Sequence, residues 1–181
     1  LCLFIEEVAS RELDKTFQLL PQPQSIELTS GKGINYWELS YILSSDTTSI
    51  PILGDMLNKL PRCPRKGKPI RLQLTSQHVP ASPEGYMMEI NEKGVCISAR
   101  TMTGIFYGCQ TLEQLMEDSR DFNILIPAML IIDYPAISYR AVHFDVKHHL
   151  DRMEYYYQEI DKLARYKINA VIWELEDKLR Y

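Results

Sequence analysis

No stretch of this chain is apolar for long enough to cross a bilayer, which takes about 20 apolar residues in a row. A surplus of either charge is also missing. The 20 Lys and Arg are scattered among 24 Asp and Glu, for a formal charge of -4. That balance attracts neither nucleic acid nor an anionic lipid surface. Cysteine is scarce. The four thiols, at positions 2, 63, 96 and 109, form no CxxC pair and no Cys/His cluster at zinc-ligand spacing, which argues against a structural metal site. They are also too few for a disulfide framework in 181 residues. Cys96, in an apolar strand pattern, and Cys109, in a helical one, read as small buried thiols. No cofactor is implied, and internal repeats and low-complexity segments are absent.

What the chain does have is an ordinary globular share of apolar residues, 45%. That supports one domain, or one small domain with part of another. Residues 1–15 stand apart as a tail or a signal remnant. A short apolar patch ends in Val8-Ala9-Ser10, but Glu6 and Glu7 fit a signal peptide poorly. A secreted or periplasmic location is favoured over a cytoplasmic one. Leu20-Pro21-Gln22-Pro23 excludes helix and favours extended backbone. Alternation predicts a strand over 25–29, and β-branched and aromatic residues predict a second over 35–43. Asp46-Thr47-Thr48 offers N-caps for a helix carrying Ile52, Leu53, Met56, Leu57 and Leu60. The basic, proline-containing stretch 61–69 reads as a solvated connection.

Ile70, Leu72 and Leu74 predict a third strand. Residues 85–90 and 95–99 flank Asn91-Glu92-Lys93-Gly94, a hairpin signal with glycine where positive φ is wanted. The clearest helix covers 101–118, with Ile105, Phe106, Cys109, Leu112, Leu115 and Met116 in one stripe. Residues 124–132 are strand-like, but Pro127 places them at an edge or breaks them. After a boundary at Asp133-Tyr134-Pro135, residues 140–146 predict a strand. Asp151 can cap a helix running to about Lys167, with Ile160, Leu163 and Ala164 inward, and 170–175 predict another strand. Strand, helix and strand in this order make a βαβ unit with parallel strands. Alone, such a unit cannot bury both faces of its sheet. The natural protein is therefore expected to continue past Tyr181, and residues 135–181, which would otherwise expose apolar surface, are expected to be partly disordered or to pack on the preceding domain or on a second chain, with self-association as one outcome.

The motifs resemble those of family 20 β-N-acetylhexosaminidases. Leu20-Pro21-Gln22-Pro23 looks like the entry to that family's non-catalytic N-terminal domain. Glu84-Gly85-Tyr86 and the run Thr103-Gly104-Ile105-Phe106-Tyr107-Gly108-Cys109-Gln110-Thr111-Leu112-Glu113-Gln114-Leu115 look like its signature hairpin and helix. Gly104 and Gly108 share one helix face, where the missing Cβ permits close packing on a sheet. Tyr139-Arg140-Ala141-Val142-His143-Phe144-Asp145-Val146 looks like the first strand of the catalytic barrel. The resemblance implies an α+β fold: an antiparallel-rich sheet with two helices on one face over 16–133, then an incomplete (β/α)8 barrel fragment over 134–181. There are two departures. Ile172-Trp173-Glu174 stands where common members carry His-Trp-His, and Asp145-Val146-Lys147-His148-His149 replaces Asp-x-x-Arg-His. The acidic stretch from Glu174 onward is closer to the hexosaminidase D branch.

The resemblance further implies removal of terminal β-linked N-acetylhexosamine with retention, the substrate's own acetamido oxygen acting as nucleophile beside an adjacent Asp-Glu pair. No residues here match that pair, so it is expected beyond residue 181 and this chain alone is expected to be inactive. The partner implied is a glycan ending in N-acetylhexosamine. Arg140 is carried over as a substrate-binding residue, since a planar guanidinium suits vicinal hydroxyls; the competing reading is an internal salt bridge. Glu174, Glu176 and Asp177 sit at the carboxyl end of a predicted barrel strand, which in such barrels faces the substrate. They read as sugar-binding or as solvated acids. His143, His148 and His149 read as structural before catalytic, and Trp173 as core before a sugar platform. Two other readings remain: a non-catalytic interaction or scaffold domain, and an O-GlcNAcase-like hydrolase.

Overall fold

The computed structural model describes residues 13, 15–44, 60, 67–146 and 151–175. Its main body is a six-stranded sheet in the order β1-β6-β4-β5-β3-β2. The strands are β1 (Ser25–Leu28), β2 (Leu39–Ser44), β3 (Lys68–Leu74), β4 (Tyr86–Asn91), β5 (Gly94–Ala99) and β6 (Met129–Asp133). The pairs β1–β6, β6–β4 and β4–β5 are antiparallel, whereas β5–β3 and β3–β2 are parallel. The sheet is therefore mixed. A tight turn cannot join parallel neighbours, so β2 and β3 are linked by the long stretch 45–67. The helix expected around Ile52 to Leu57 falls there, outside the described residues.

Helix α1 (Met102–Phe122) lies across the sheet. Thr101 caps it by accepting from the Gly104 amide at 3.2 Å, and Asn123 ends it in the left-handed conformation at φ 53°. Ile105, Cys109, Leu112 and Leu115 are buried against Ile70, Met88, Ile90 and Ile97. Burial pushes the Cys109 thiol up to about 12, so it is the small, inert core thiol the sequence indicated. Cys96 is half-buried in β5. A Cβ at Gly104 would strike the Gly85 carbonyl oxygen and come within 2.7 Å of Ala99 Cβ; one at Gly108 would come within 2.5 Å of Ile97 Cγ2. The paired glycines thus set how near the helix sits to the sheet. In the β4–β5 hairpin Gly94 takes φ +135°, as its position in the turn required.

One local expectation changes, and one left open is decided. Tyr36–Glu38 is a 3-10 turn rather than strand, because the Glu38 carboxylate reaches back to the Asn35 amide at 3.1 Å and closes a capping box. Pro127 breaks its strand: Ile126 forms an isolated bridge to Ile34, and β6 starts only at Met129. Lying before the strand, Pro127 costs no ladder bond, so β6 can sit inside the sheet rather than at its edge. The N-terminal segment is bound to α1 by Gln114. Its Oε1 accepts from the Leu20 amide at 2.8 Å, and its Nε2 donates to the Leu20 carbonyl at 2.9 Å.

Beyond β6, β7 (Ala141–Asp145), α2 (Met153–Arg165) and β8 (Ala170–Glu174) form the expected unit, with β7 and β8 parallel in a separate two-stranded sheet. Asp151 is not the cap. Arg152 holds that position without a side-chain bond, and the Asp151 amide donates to the Tyr156 hydroxyl at 3.1 Å. The helix ends at Arg165, and Lys167 turns into the left-handed region at φ 59°. Tyr156 is buried, Leu163 and Ala164 are half-buried, and Ile160 is 40% exposed. Tyr157, Ile172, Trp173 and Leu175 are exposed, and the unit packs on the main sheet's domain as described below.

Candidate functional site

Two places hold the residues singled out by sequence. The first is the seam between the main sheet and the β7–α2–β8 unit. Arg140 stands just before β7, at its amino end. Its Nε donates to the Lys167 carbonyl and its Nη1 to the Ile137 carbonyl, each at 2.7 Å, with a longer bond from Nη1 to the Ser138 carbonyl at 3.5 Å. Its Nη2 binds the Glu84 carboxylate. The other oxygen of Glu84 accepts from Asn169 Nδ2 at 2.9 Å, so one acid of the sheet domain grips both strands of the second unit. The guanidinium also lies over the Tyr107 ring, 5.8 Å from its centroid. Four donor–acceptor contacts on a group with five N–H donors make Arg140 first of all a latch.

Lys167 supplies a second, deeper contact. Its ammonium is 2.6 Å from Asp133 Oδ2, with both side chains under 10% exposed (8% and 9%). It also donates to the Tyr86 hydroxyl at 3.2 Å. That hydroxyl lies 2.6 Å from Thr111 Oγ1, which itself donates to the Tyr107 carbonyl. Burial pulls the Lys167 ammonium below its usual range, against the opposing pull of Asp133, and burial raises Tyr86 well above the ordinary phenol value. Arg165 pairs with Glu117 on α1. At every one of these contacts the cation comes from the later segment and the anion from the sheet domain. A cleft of about 230 Å³ opens beside them, lined mostly by apolar atoms, with Pro21, Gln24, Tyr107, Ile137 and Arg140 among its walls.

Glu84 is the cheapest point at which to loosen this seam. Glu84→Ala is expected to cost about 2 kcal/mol, the scale for removing one partner of a partly buried charged hydrogen bond. Amides of β7 and β8 should exchange faster with solvent while those of β4 and β5 keep their protection. Equal acceleration in both sheets would show that the two units do not open separately.

The second place is the open face of the β7–β8 ribbon. Parallel register sets Ala141 beside Ala170, His143 beside Ile172 and Asp145 beside Glu174, so these six side chains share one face. His143 Nε2 lies 2.9 Å from Glu174 Oε2. The opposite face carries Phe144 and Trp173, stacked at 4.9 Å, with Tyr156 of α2 edge-on to Trp173 at 5.0 Å. Trp173 thus faces α2, with 40% of its surface exposed. Arg140 and Glu174 stand at opposite ends of the ribbon, and the structure does not bring them together. Glu176, Asp177, His148 and His149 lie outside the described residues. Among the described residues no His, Cys, Asp or Glu group could hold a metal ion, and no helix is long and apolar enough to cross a membrane. Sequence reasoning missed the roles of Glu84, Asp133 and Lys167, although each lies in a stretch it singled out.

A mixed sheet backed by one long helix, latched to a parallel strand–helix–strand unit, is the architecture that opens a class of glycoside hydrolases. The chain superposes on Streptomyces plicatus N-acetyl-beta-hexosaminidase in complex with Thio-NAglucal with a TM-score of 0.71 at 26% identity, covering 90% of this chain and 35% of that one. More narrowly, residues 16–134 match the family model Glycosyl hydrolase family 20, domain 2, and the chain belongs to that family. It is 36% identical over 105 residues to a beta-hexosaminidase of Porphyromonas gingivalis, covering 55% of this chain and 14% of that protein. It is 27% identical over 175 residues to the beta-N-acetylhexosaminidase of Cellulomonas fimi, covering 88% of this chain and 34% of that protein. The chain therefore spans about a third or less of these relatives' length.

Proposed function

We propose that this chain is the N-terminal part of a glycoside hydrolase that removes terminal β-linked N-acetylhexosamine by the retaining, substrate-assisted route, the catalytic Asp-Glu pair lying beyond residue 181. The family match over residues 16–134 carries the reading, and the relatives' names supply the substrate class. In it the sheet domain is a scaffold. Through Glu84, Asp133 and Glu117 it fixes the first strands of a barrel, whose carboxyl ends are where such folds place their substrates. Glu174, at the carboxyl end of β8, accepts hydrogen bonds from sugar hydroxyls in this reading, and Glu176 and Asp177 are assigned the same part. Arg140 is held by three backbone carbonyls and by Glu84, so the latch is its main part in the site.

The test is hydrolysis of a chromogenic N-acetyl-β-glucosaminide by residues 1–181 and by the full-length product of the gene. Turnover by the longer protein alone is expected. Turnover by residues 1–181 would overturn the placement of the catalytic pair, and turnover by neither would overturn the hydrolase reading for this substrate class.

A further inference from the structure

We propose that His143 is a positioning residue, which holds the Glu174 carboxylate in the orientation that receives the sugar. The inference rests on the hydrolase reading above. Its starting point is the 2.9 Å approach of Nε2 to Oε2 between neighbouring strands. In residues 1–181 the two side chains are 49% and 36% exposed, but in the hydrolase reading this face is enclosed by the rest of the barrel. Branched apolar side chains usually fill such an interior, so packing gives little reason for placing an imidazole here.

Position gives a better one. The face of a parallel ribbon that its crossover helix leaves uncovered is ordinarily apolar, because in closed α/β folds both faces are buried. Here the helix side is apolar, with Phe144, Trp173 and Tyr156 in ring contact. The open side instead gathers His143, Asp145 and Glu174 toward the carboxyl end of the strands. That end is where ligands of such sheets bind. Carboxylates only accept hydrogen bonds, and a sugar presents hydroxyl donors, so an acid at this end suits a neutral polyol. A glutamate side chain has three rotatable bonds, and fixing it after the sugar arrives costs binding free energy. An imidazole on the adjacent strand, one N–H against one carboxylate oxygen, removes that freedom beforehand.

The effect should appear in substrate binding. In the full-length protein, His143→Leu is expected to raise KM about tenfold and to leave kcat within about twofold, the pattern of lost ground-state and transition-state binding alike. His143→Gln, whose amide nitrogen can take the place of Nε2, is expected to recover most of the KM. In a Glu174→Gln background, His143→Leu should change KM no further, since the histidine acts through the acid. A loss of stability in His143→Leu would lower the active fraction and the apparent kcat rather than raise KM, which keeps the two effects apart. An active wild type whose KM is unmoved by His143→Leu, or a His143→Leu effect that persists in the Glu174→Gln background, would overturn the inference and leave the hydrolase reading standing. A full-length protein with no turnover of β-N-acetylhexosaminides would overturn both.

Discussion

Lys167→Met is expected to destabilise the protein by about 3–5 kcal/mol, the cost of leaving a buried carboxylate without its counter-charge. Asp133 is 9% exposed by side chain, and its other donors, the Gln24 amide at 3.3 Å and the Tyr86 hydroxyl, are neutral and do not replace the lost charge. The Tyr86 hydroxyl would lose its donor in the same step. Methionine suits the test because it is unbranched and similar in length. It inherits the same left-handed backbone at φ 59°, so strain cancels in the comparison and the difference reports on the ammonium. Adding Asp133→Asn should restore much of the loss, because a buried pair removed together leaves no orphan charge. Urea unfolding of the three variants against wild type measures both effects. A Lys167→Met protein within about 1 kcal/mol of wild type would show that water reaches Asp133 and that the seam is wetter than its geometry indicates.

Gly104→Ala is expected to cost about 2–3 kcal/mol, the upper part of the range for overpacking a close contact. Two effects of opposite sign meet at this position. Within a helix, alanine is better than glycine by about 1 kcal/mol. Against that, the added methyl would meet the Gly85 carbonyl oxygen and lie 2.7 Å from Ala99 Cβ. The first is backbone and cannot rotate away, so α1 must lift from the sheet. Ile105, Leu112 and Leu115 are almost fully buried beneath it and would lose contact together. The unfolding midpoint should fall by roughly 5–10 °C for a chain of this size. A variant that melts at or above the wild-type temperature would mean that the helix-propensity gain exceeds the clash and that the contact is loose.

The parts of this fold that could be read from sequence are those whose signals are short-ranged. Helix α1 was readable because its stripe from Ile105 to Met116 and its Thr101 cap lie within one segment. The β4–β5 hairpin was readable because Asn91 and Gly94 are three positions apart and specify the turn themselves. The parallel pairing of β3 with β2 and β5 was not, because nothing within Ile70, Leu72 and Leu74 says which neighbour they face. Tyr36–Glu38 has a strand-like composition, and its capping box shows only once Glu38 is seen to fold back on Asn35. The candidate site divides in the same way. The strand pattern over 170–175 put Glu174 near the carboxyl end of β8, because that signal is local. The seam was hidden because its pairs are distant in sequence, Lys167 with Asp133 at a separation of 34 and Arg140 with Glu84 at 56. A single acid in a sequence does not name its partner.

The order of strands also bears on how the chain comes to be folded. β1 touches only β6 in the sheet, and β6 separates it from every other strand. While the chain is being synthesised, residues 25–28 must wait, unpaired on both sides, until residues 129–132 emerge about a hundred positions later. The hairpin and α1 can assemble meanwhile, but the core stays open along β4. Asp133 follows at once on the residues that close it, so the anionic surface for Arg140 and Lys167 is complete only when the sheet is. A nascent chain thus matures in one direction, each unit finishing the surface on which the next will settle.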